Sequence, residues 1–548
     1  MNRRLQLTLL LCLWLMPGSG AATADNADLP HLQRKDSVTQ LIVDGKPFIM
    51  LAGELHNSSA SSLEYMQTVW PRLGSLHLNT VLASVSWELI EPEEGKFDFD
   101  LVDGIVRQAR EHDMKLVLLW FGSWKNGVSS YAPAWVKSDT HRFPRSQGSS
   151  NHNTKSMLSP HYAQNEQADA HAFATFMRHL KQIDGEKHTV VMIQVENEVG
   201  IKPELRDTSP TAEAQFNDAV APELLDFLSR NKERLIPELR ATWEKAGGKT
   251  AGNWTEVFGS GPAASEIFSA WYYARYIDSV AAAGKTEYPL PMYVNAWIRQ
   301  PEGKPGQYPT GGPVAHMMDI WRAAGSSIDL LAPDIYLPDF KGVCSEFTQQ
   351  DNPLFIPEAN TDDGAIARAF WAIGAHDALG FSPFGIDGLQ ADHPLGPGYQ
   401  VLGQLMPFIT SAEGSDRLAA VYQQDRNQDK PEKPIIVGGY RADVRFSTRN
   451  HGNIPAYGLI INTADDEFLV AGHGFDVHFS ATTPGARNTE ILSVEMGHFE
   501  HGQWVREMRL NGDETAANYL ARIPPNDANP QIDPSIPRIL KIKLYRFD

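Results

Sequence analysis

Eight short apolar runs, separated by longer stretches with helical spacing, constrain this chain more than any other feature. The runs are Phe48–Ala52, Thr80–Val85, Leu116–Phe121, Val190–Val195, Met292–Asn295, Leu330–Tyr336, Leu354–Pro357 and Gly380–Pro383. Several are apolar at nearly every position, as a strand covered on both faces must be. Between them, Leu101–Asp113, Ala168–Lys181, Ala264–Ala283, Met317–Ala324 and Ala365–Ala375 have the spacing of helices that bury one side. Eight strands alternating with helices predict an α/β fold, a (β/α)8 TIM barrel. A hairpin, Thr39–Val43 and Pro47–Ala52 around Asp44-Gly45, opens it. The barrel is expected within residues 25–412, well beyond the roughly 250 residues such barrels use, so the surplus must sit in loops. The candidate insertions are Tyr131–Ala163, Gly200–Ser260 and Ile298–His316, which follow strands 3, 4 and 5 and would crowd the catalytic face.

Beyond Ala412 the period changes to two. Residues 413–434 are polar and Pro-containing and read as a linker. Residues 435–548 alternate apolar and polar through Ala442–Ser447, Tyr457–Asn462, Glu467–Ala471, Phe475–Ser480, Ile491–Met496, Trp504–Leu510 and Arg538–Phe547. That pattern predicts a C-terminal all-β sandwich-like domain packed on the barrel, read as a structural cap. At the other end, residues 1–24 have the form of a cleavable signal peptide. Arg3 and Arg4 precede an apolar run from Leu5 to Met16, and Ala22-Thr23-Ala24 offers a cleavage site. About 12 apolar residues are too few for a membrane core that needs about 20. The expectation is therefore an exported chain, periplasmic or secreted, with no membrane span. Cleavage would leave Cys344 as its one cysteine and so no internal disulfide.

The formal charge of −19 argues against nucleic acid or an anionic membrane as partner, because both require clustered Lys and Arg. Two Gly-Lys-Thr triplets lack the first glycine of a phosphate loop, and neither a Gly-x-Ser-x-Gly elbow nor a His-Glu-x-x-His helix occurs. The chemistry lies elsewhere. Strand 4 ends in Gln194-Val195-Glu196-Asn197-Glu198, and strand 7 in Ile356-Pro357-Glu358. Acids at these ends face the mouth of a barrel, where such enzymes work. Paired carboxyls are what glycoside hydrolysis needs, one protonated for the leaving oxygen and one ionised for the anomeric carbon. Pleat alternation alone leaves open whether Glu196 or Glu198 is the strand 4 partner.

The chain resembles glycoside hydrolase family 35, the retaining β-galactosidases. The resemblance is carried by Val43-Asp44-Gly45-Lys46-Pro47-Phe48, Gly53-Glu54-Leu55-His56, Leu78-Asn79-Thr80-Val81 and Trp87-Glu88-x-x-Glu91-Pro92-x-Glu94-Gly95-x-Phe97-Asp98-Phe99, with Gln194–Glu198. It implies Glu198 as general acid/base, Glu358 as nucleophile, Asn197 on the sugar 2-hydroxyl and Tyr336 holding Glu358. It also implies a short bacterial branch that trims galactose from plant-wall oligosaccharides such as xyloglucan fragments, with no cofactor and no metal. The chain departs from the family at Asn57 and Val199, where aromatics are usual, and at Leu119–Asn126 in strand 3.

Eleven of the 13 tryptophans lie between Trp70 and Trp371, in the barrel. Sugars stack on aromatic rings, so Trp87, Trp120, Trp124 and Trp297, at the ends of strands 2, 3 and 5, are candidate platforms. Asn295 is a candidate substrate contact. Glu54 and His56 end strand 1, and each either bonds a sugar hydroxyl or forms a structural ion pair. The resulting expectation is an exo-β-galactosidase acting by double displacement on a small oligosaccharide. The alternatives are a retaining arabinosidase- or glucosidase-like enzyme and a catalytically silent carbohydrate-binding barrel.

Overall fold

A computed structural model describes residues 29–148, 155–447, 454–482, 484–485, 488–510, 512–525, 532–533 and 535–548. The expected signal segment lies outside these residues. Eight parallel strands form the barrel: β1 (Met50–Glu54), β2 (Thr80–Ser86), β3 (Lys115–Lys125), β4 (Val190–Asn197), β5 (Met292–Trp297), β6 (Leu330–Ile335), β7 (Glu358–Ala359) and β8 (Gly380–Phe381). Their order is β7-β6-β5-β4-β3-β2-β1-β8, and a parallel bridge between Ile356 and Phe381 closes the ring. Seven of the eight expected runs overlap strands of the barrel; the other, Leu354–Pro357, holds the bridge at Ile356 and ends just before β7.

The interior is a packed plug rather than a channel. Met50, Ala52, Leu82, Val117, Leu119, Phe121, Met192, Leu330, Ala332 and Phe355 share one cluster. Leu41 and Val43 join it, so the antiparallel strand Val38–Val43 stoppers the end opposite the mouth. Outside the ring run the predicted helices, among them α1 (Asp100–Glu111), α2 (Ala163–Asp184), α3 (Pro262–Glu287) and α4 (Ala365–His376), and a further helix beyond those predicted, α5 (Leu395–Ala412). Proline at the first turn of α3 costs no hydrogen bond, since that N–H has no helical partner. No helix among the described residues is long and apolar enough to cross a membrane.

The C-terminal region is a two-sheet β structure. It comprises β9 (Leu418–Tyr422), β10 (Ile435–Val437), β11 (Tyr440–Phe446), β12 (Tyr457–Ala464), β13 (Glu467–His473), β14 (Phe475–Ala481), β15 (Asn488–Glu500), β16 (Gln503–Leu510), β17 (Ala521–Ile523) and β18 (Arg538–Phe547). One sheet has the order β9-β12-β13-β18-β15-β16, the other β10-β11-β14-β17. The expected linker 413–434 is corrected here. Five of its residues form β9, which pairs in register with β12 from Leu418↔Ile461 to Tyr422↔Tyr457. Strand Leu-Ala-Ala-Val-Tyr is too short to stand out by alternation, and the neighbouring β12 supplies what local sequence does not.

Strands β12 and β13 of the six-stranded sheet are buried on both faces, and the alternation there serves two cores. Ile460, Phe468, Val470, Leu540 and Ile542 face the sandwich interior. Leu459, Ile461, Leu469, Ala471 and Ile539 face the helices of the barrel. Phe370 of α4 meets Tyr457 at 4.8 Å between ring centroids, and Phe408 of α5 meets Phe499 at 4.9 Å. Gly374 allows the closest approach, since a Cβ there would lie 2.2 Å from Leu459 Cδ2. Gly374→Leu should therefore overpack the seam and destabilise the protein by about 1–3 kcal/mol. Thermal or urea unfolding measures this; an unchanged midpoint would refute the docking.

Candidate active site

The mouth owes its geometry to an irregular junction between β3 and β4. The register runs Leu119↔Gln194 and Trp120↔Val195, then jumps to Lys125↔Asn197, so residues 121–124 bulge from the ladder. Glu196 and Glu198 both adopt left-handed backbone conformations, with φ of 63° and 43°. Such values are unusual for a side-chain-bearing residue and break the simple alternation of the pleat. Glu196 turns outward, away from the mouth, and accepts the backbone N–H groups of Ser123 at 2.9 Å and Trp124 at 2.7 Å. Gly122 makes room for it, because a Cβ there would stand 2.6 Å from Glu196 Oε1. Burial, then the charge of Asp169, pushes the Glu196 carboxyl well above the usual range. Asn197 and Glu198 are left facing the mouth, which decides between the two glutamates.

A cavity of about 360 Å³ opens there, lined by Lys125, Glu198, Trp297, Asp334, Tyr336, Glu358 and Phe384, with Asn57 and others at its edges. Glu198, Asp334 and Glu358 each place a carboxylate oxygen within 4.8 Å of the other two. Glu358 is held by donors from three directions: Tyr336 Oη at 2.7 Å, Asn197 Nδ2 at 3.4 Å and Asn295 Nδ2 at 3.4 Å. Asn295 spans the site, accepting the Glu198 N–H at 2.9 Å and donating to Asp334 at 2.8 Å. Lys125 Nζ donates to Asn197 Oδ1 at 3.0 Å and so fixes that amide's orientation. Among the described residues this is the one group of three close metal-competent side chains, but its neighbours are amides, a phenol and an ammonium. Those are proton donors, whereas a hard cation would want more oxygens.

The two glutamates have different surroundings. Burial, reinforced by the negative charge of Glu358, pushes the Glu198 carboxyl up to about 8. Asp334 is driven well above the usual range by burial and by Glu358, Glu198 and Glu54. Glu358 instead has a phenol and two amides aimed at its oxygens. Glu198 is thus disposed to carry a proton, while Glu358 is the carboxyl on which the donors converge.

Several expected contacts fall elsewhere. Trp87 and Trp124 are fully buried and are corrected to core residues. Trp87 Nε1 donates to Glu91, and Trp124 Nε1 donates to the Leu158 carbonyl while its ring packs on Tyr273 and Tyr276. Trp120 is likewise in the core, its Nε1 bonded to Asp169. The bulge and the short helix after β2 turn these rings away from the mouth. Trp297 does line the cavity, with Lys202 Nζ 3.8 Å from its ring centroid. His56 stays at the rim in the structural alternative, Nδ1 2.9 Å from Asp387. Glu54 forms no ion pair: it is 1% exposed, and neither oxygen has a hydrogen-bond partner among the described residues. Asp334, Lys125, Asn126 and Phe384 were not singled out by the sequence reading. The one signal was position: Asp334 lies two residues before Tyr336, and Lys125 and Asn126 lie at the end of the departing strand 3 motif.

The comparisons with known proteins agree with this geometry in part. Residues 57–269 match the glycoside hydrolase family 42 model, described as β-galactosidase. The family 35 assignment is not supported and gives way to that match. Residues 395–522 match a model described as a domain of unknown function (DUF5597), which joins α5 to the sandwich. A β-galactosidase of Xanthomonas manihotis is 30% identical over 169 residues, covering 30% of this chain and 25% of that protein. The chain thus spans about a quarter of the length of the curated relative it matches. Among solved structures, a cold-adapted β-galactosidase from Rahnella sp. R3 aligns at 16% identity and a TM-score of 0.44, over 66% of this chain and 57% of that one. A β-galactosidase from Bacillus circulans sp. alkalophilus aligns at 14% identity and a TM-score of 0.44, over 65% and 56%.

The raised Glu198 carboxyl has a consequence for stability. An acid that binds its proton more tightly when folded loses stability as pH rises from its ordinary value of 4.5 through about 8. Glu198→Gln removes that loss, so its stability relative to the native protein should grow by on the order of 1 kcal/mol per pH unit across this window. Melting temperatures of both proteins between pH 5 and about 8 measure it. A gap that stays constant with pH would refute the buried, protonated state.

Proposed function

We propose that this protein is an exported, retaining, exo-acting β-galactosidase, with Glu198 as general acid/base and Glu358 as nucleophile. The observation that carries the proposal is the pairing of these two carboxyls across one cavity, an oxygen of each within 4.8 Å of the other, with Tyr336 donating to Glu358. Retaining glycosidases hold their carboxyls about 5–5.5 Å apart, whereas inverting ones leave about 6.5–9.5 Å for a water. In the first step Glu358 attacks the anomeric carbon while Glu198 gives its proton to the departing glycosidic oxygen. In the second, Glu198 takes a proton from water, which displaces Glu358 and releases the sugar with its anomeric configuration kept.

Asn197 is positioned to bond the 2-hydroxyl, and Trp297, Tyr336 and Phe384 offer ring surface to the pyranose. The family 42 match over residues 57–269 supports galactose as the glycone. Plant-wall oligosaccharides such as xyloglucan fragments are the proposed substrates, and the basic, apolar and Ala-x-Ala segments at the N-terminus support export. A glucosidase- or arabinosidase-like specificity has one observation in its favour. Asn57 lines the cavity where the aromatic of the resembled family is absent.

A panel of aryl β-glycosides of galactose, glucose and arabinose, followed by galactosylated xyloglucan oligosaccharides, tests both specificities. The galactoside is expected to be cleaved fastest with retention, and preference for another sugar would overturn the glycone. Glu358→Gln should abolish turnover, while Glu198→Ala should slow substrates with poor leaving groups far more than activated aryl ones. Near-native activity of either variant would refute the assignment. Tyr336→Phe removes a hydrogen bond to a charged group, of about 1.5–3 kcal/mol, and should lower kcat roughly ten- to a hundredfold.

A further inference from the structure

Double displacement as proposed uses two carboxyls, yet a third lines the same cavity. Asp334 is the last residue but one of β6, is 1% exposed, and has an oxygen within 4.8 Å of both Glu198 and Glu358. Its Oδ2 accepts from Asn295, while its Oδ1 has no donor among side chains or backbone. Across from it stands the Glu198 carboxyl, with an oxygen of each within 4.8 Å of the other. Two buried carboxyls this close repel when both are ionised, which favours one proton on the pair. Asn295 holds both partners in one frame, its oxygen on the Glu198 N–H and its amide nitrogen on Asp334.

We propose that Asp334 is a positioning residue that shares one proton with Glu198, so that the Asp334–Glu198 pair, and not Glu198 alone, is the proton donor. The inference rests on the acid/base role given to Glu198 above. It gives the site a simple charge balance. Before reaction the pair holds one proton and one negative charge, and Glu358 holds another. As Glu358 bonds to the anomeric carbon, its charge is lost and the C–O bond to the leaving group breaks. The shared proton passes to the leaving oxygen, and the pair becomes doubly ionised. When water attacks, its proton returns to the pair and Glu358 departs as a carboxylate. The three carboxyls carry two negative charges throughout, so a buried site never has to absorb a third. The groups facing the pair are Glu54 from β1, Lys125 from β3, Lys202 after β4, Tyr293 from β5, Tyr336 after β6 and Glu358 from β7. The two cations among them favour those two negative charges.

Asp334→Asn keeps the shape and the bond from Asn295 but ends proton sharing and removes a like charge beside Glu198. The alkaline limb of kcat/KM for aryl β-galactosides should move to lower pH by about one unit, a tenfold loss on that flank. Asp334→Glu, which keeps a carboxyl, should restore the limb. A limb unmoved in Asp334→Asn, or shifted equally by Asp334→Glu, would overturn the proposal. Carboxyl carbon NMR of the native protein tests it without any substrate and without a variant that must fold. Two carboxyl resonances that titrate together, with common midpoints, are expected, and independent midpoints would overturn the pair. If the resonances move together but no galactoside is cleaved, the shared proton stands and the assigned activity falls.

Discussion

Mutual repulsion of acids in a nearly dry barrel mouth is the constraint on which the rest of this structure depends. Glu54, Glu198, Asp334 and Glu358 stand close enough to perturb one another, and each is at least nine-tenths buried. Burial disfavours every added charge, so the cluster is stable only where protons, cations and aimed donors divide the load. Lys125 and Lys202 supply positive charge, Tyr336 and the amides of Asn197 and Asn295 point hydrogens at Glu358, and Glu198 and Asp334 are driven toward their neutral forms. The asymmetry that double displacement needs follows from this division, without any intrinsic difference between two glutamates.

The remainder of the fold can be seen as holding that mouth still. Below it lies an apolar plug with the N-terminal hairpin as stopper, so the strand ends have little freedom to shift. Beside it the bulge of β3 brings Lys125 next to Asn197 and binds Glu196 through two backbone N–H groups. Glu196, although adjacent to the reactive pair in sequence, serves as a strut between β4 and the bulge. On the far flank the six-stranded sheet docks on α4 and α5 with alternate residues of the same strands. The sandwich is thereby continuous with the barrel's outer layer, which suits a stiffening part better than an independent module.

Much of this was legible from residue order. Apolar runs long enough to be strands and too short to be helices, in alternation with amphipathic stretches, led to the barrel. Position at strand ends pointed to Glu196, Glu198 and Glu358, the family resemblance to Glu198, Asn197 and Tyr336, and the structure gathers Glu198, Glu358, Asn197 and Tyr336 around one cavity. Tryptophans at strand ends misled for a physical reason. Trp87 and Trp124 follow strands but lie on a helical turn and in a bulge, and large rings without a sugar to cover are better buried with their indole N–H satisfied. Strand β9 was hidden because five residues of modest β character acquire their pairing from a partner 35 or more residues away.

The sequence by itself determined which side chains could do the chemistry and on which ends of which strands they stand, because periodicity and composition are properties of the chain. Only the tertiary structure decided how those groups are charged. A carboxyl's affinity for its proton is set by dielectric and by neighbours from other strands, and Asp334, Asn295 and Lys125 reach Glu198 and Glu358 only when the barrel closes. It also decided which of Glu196 and Glu198 faces the mouth, because two left-handed residues and a bulge in the adjoining strand override the alternation that local sequence implies.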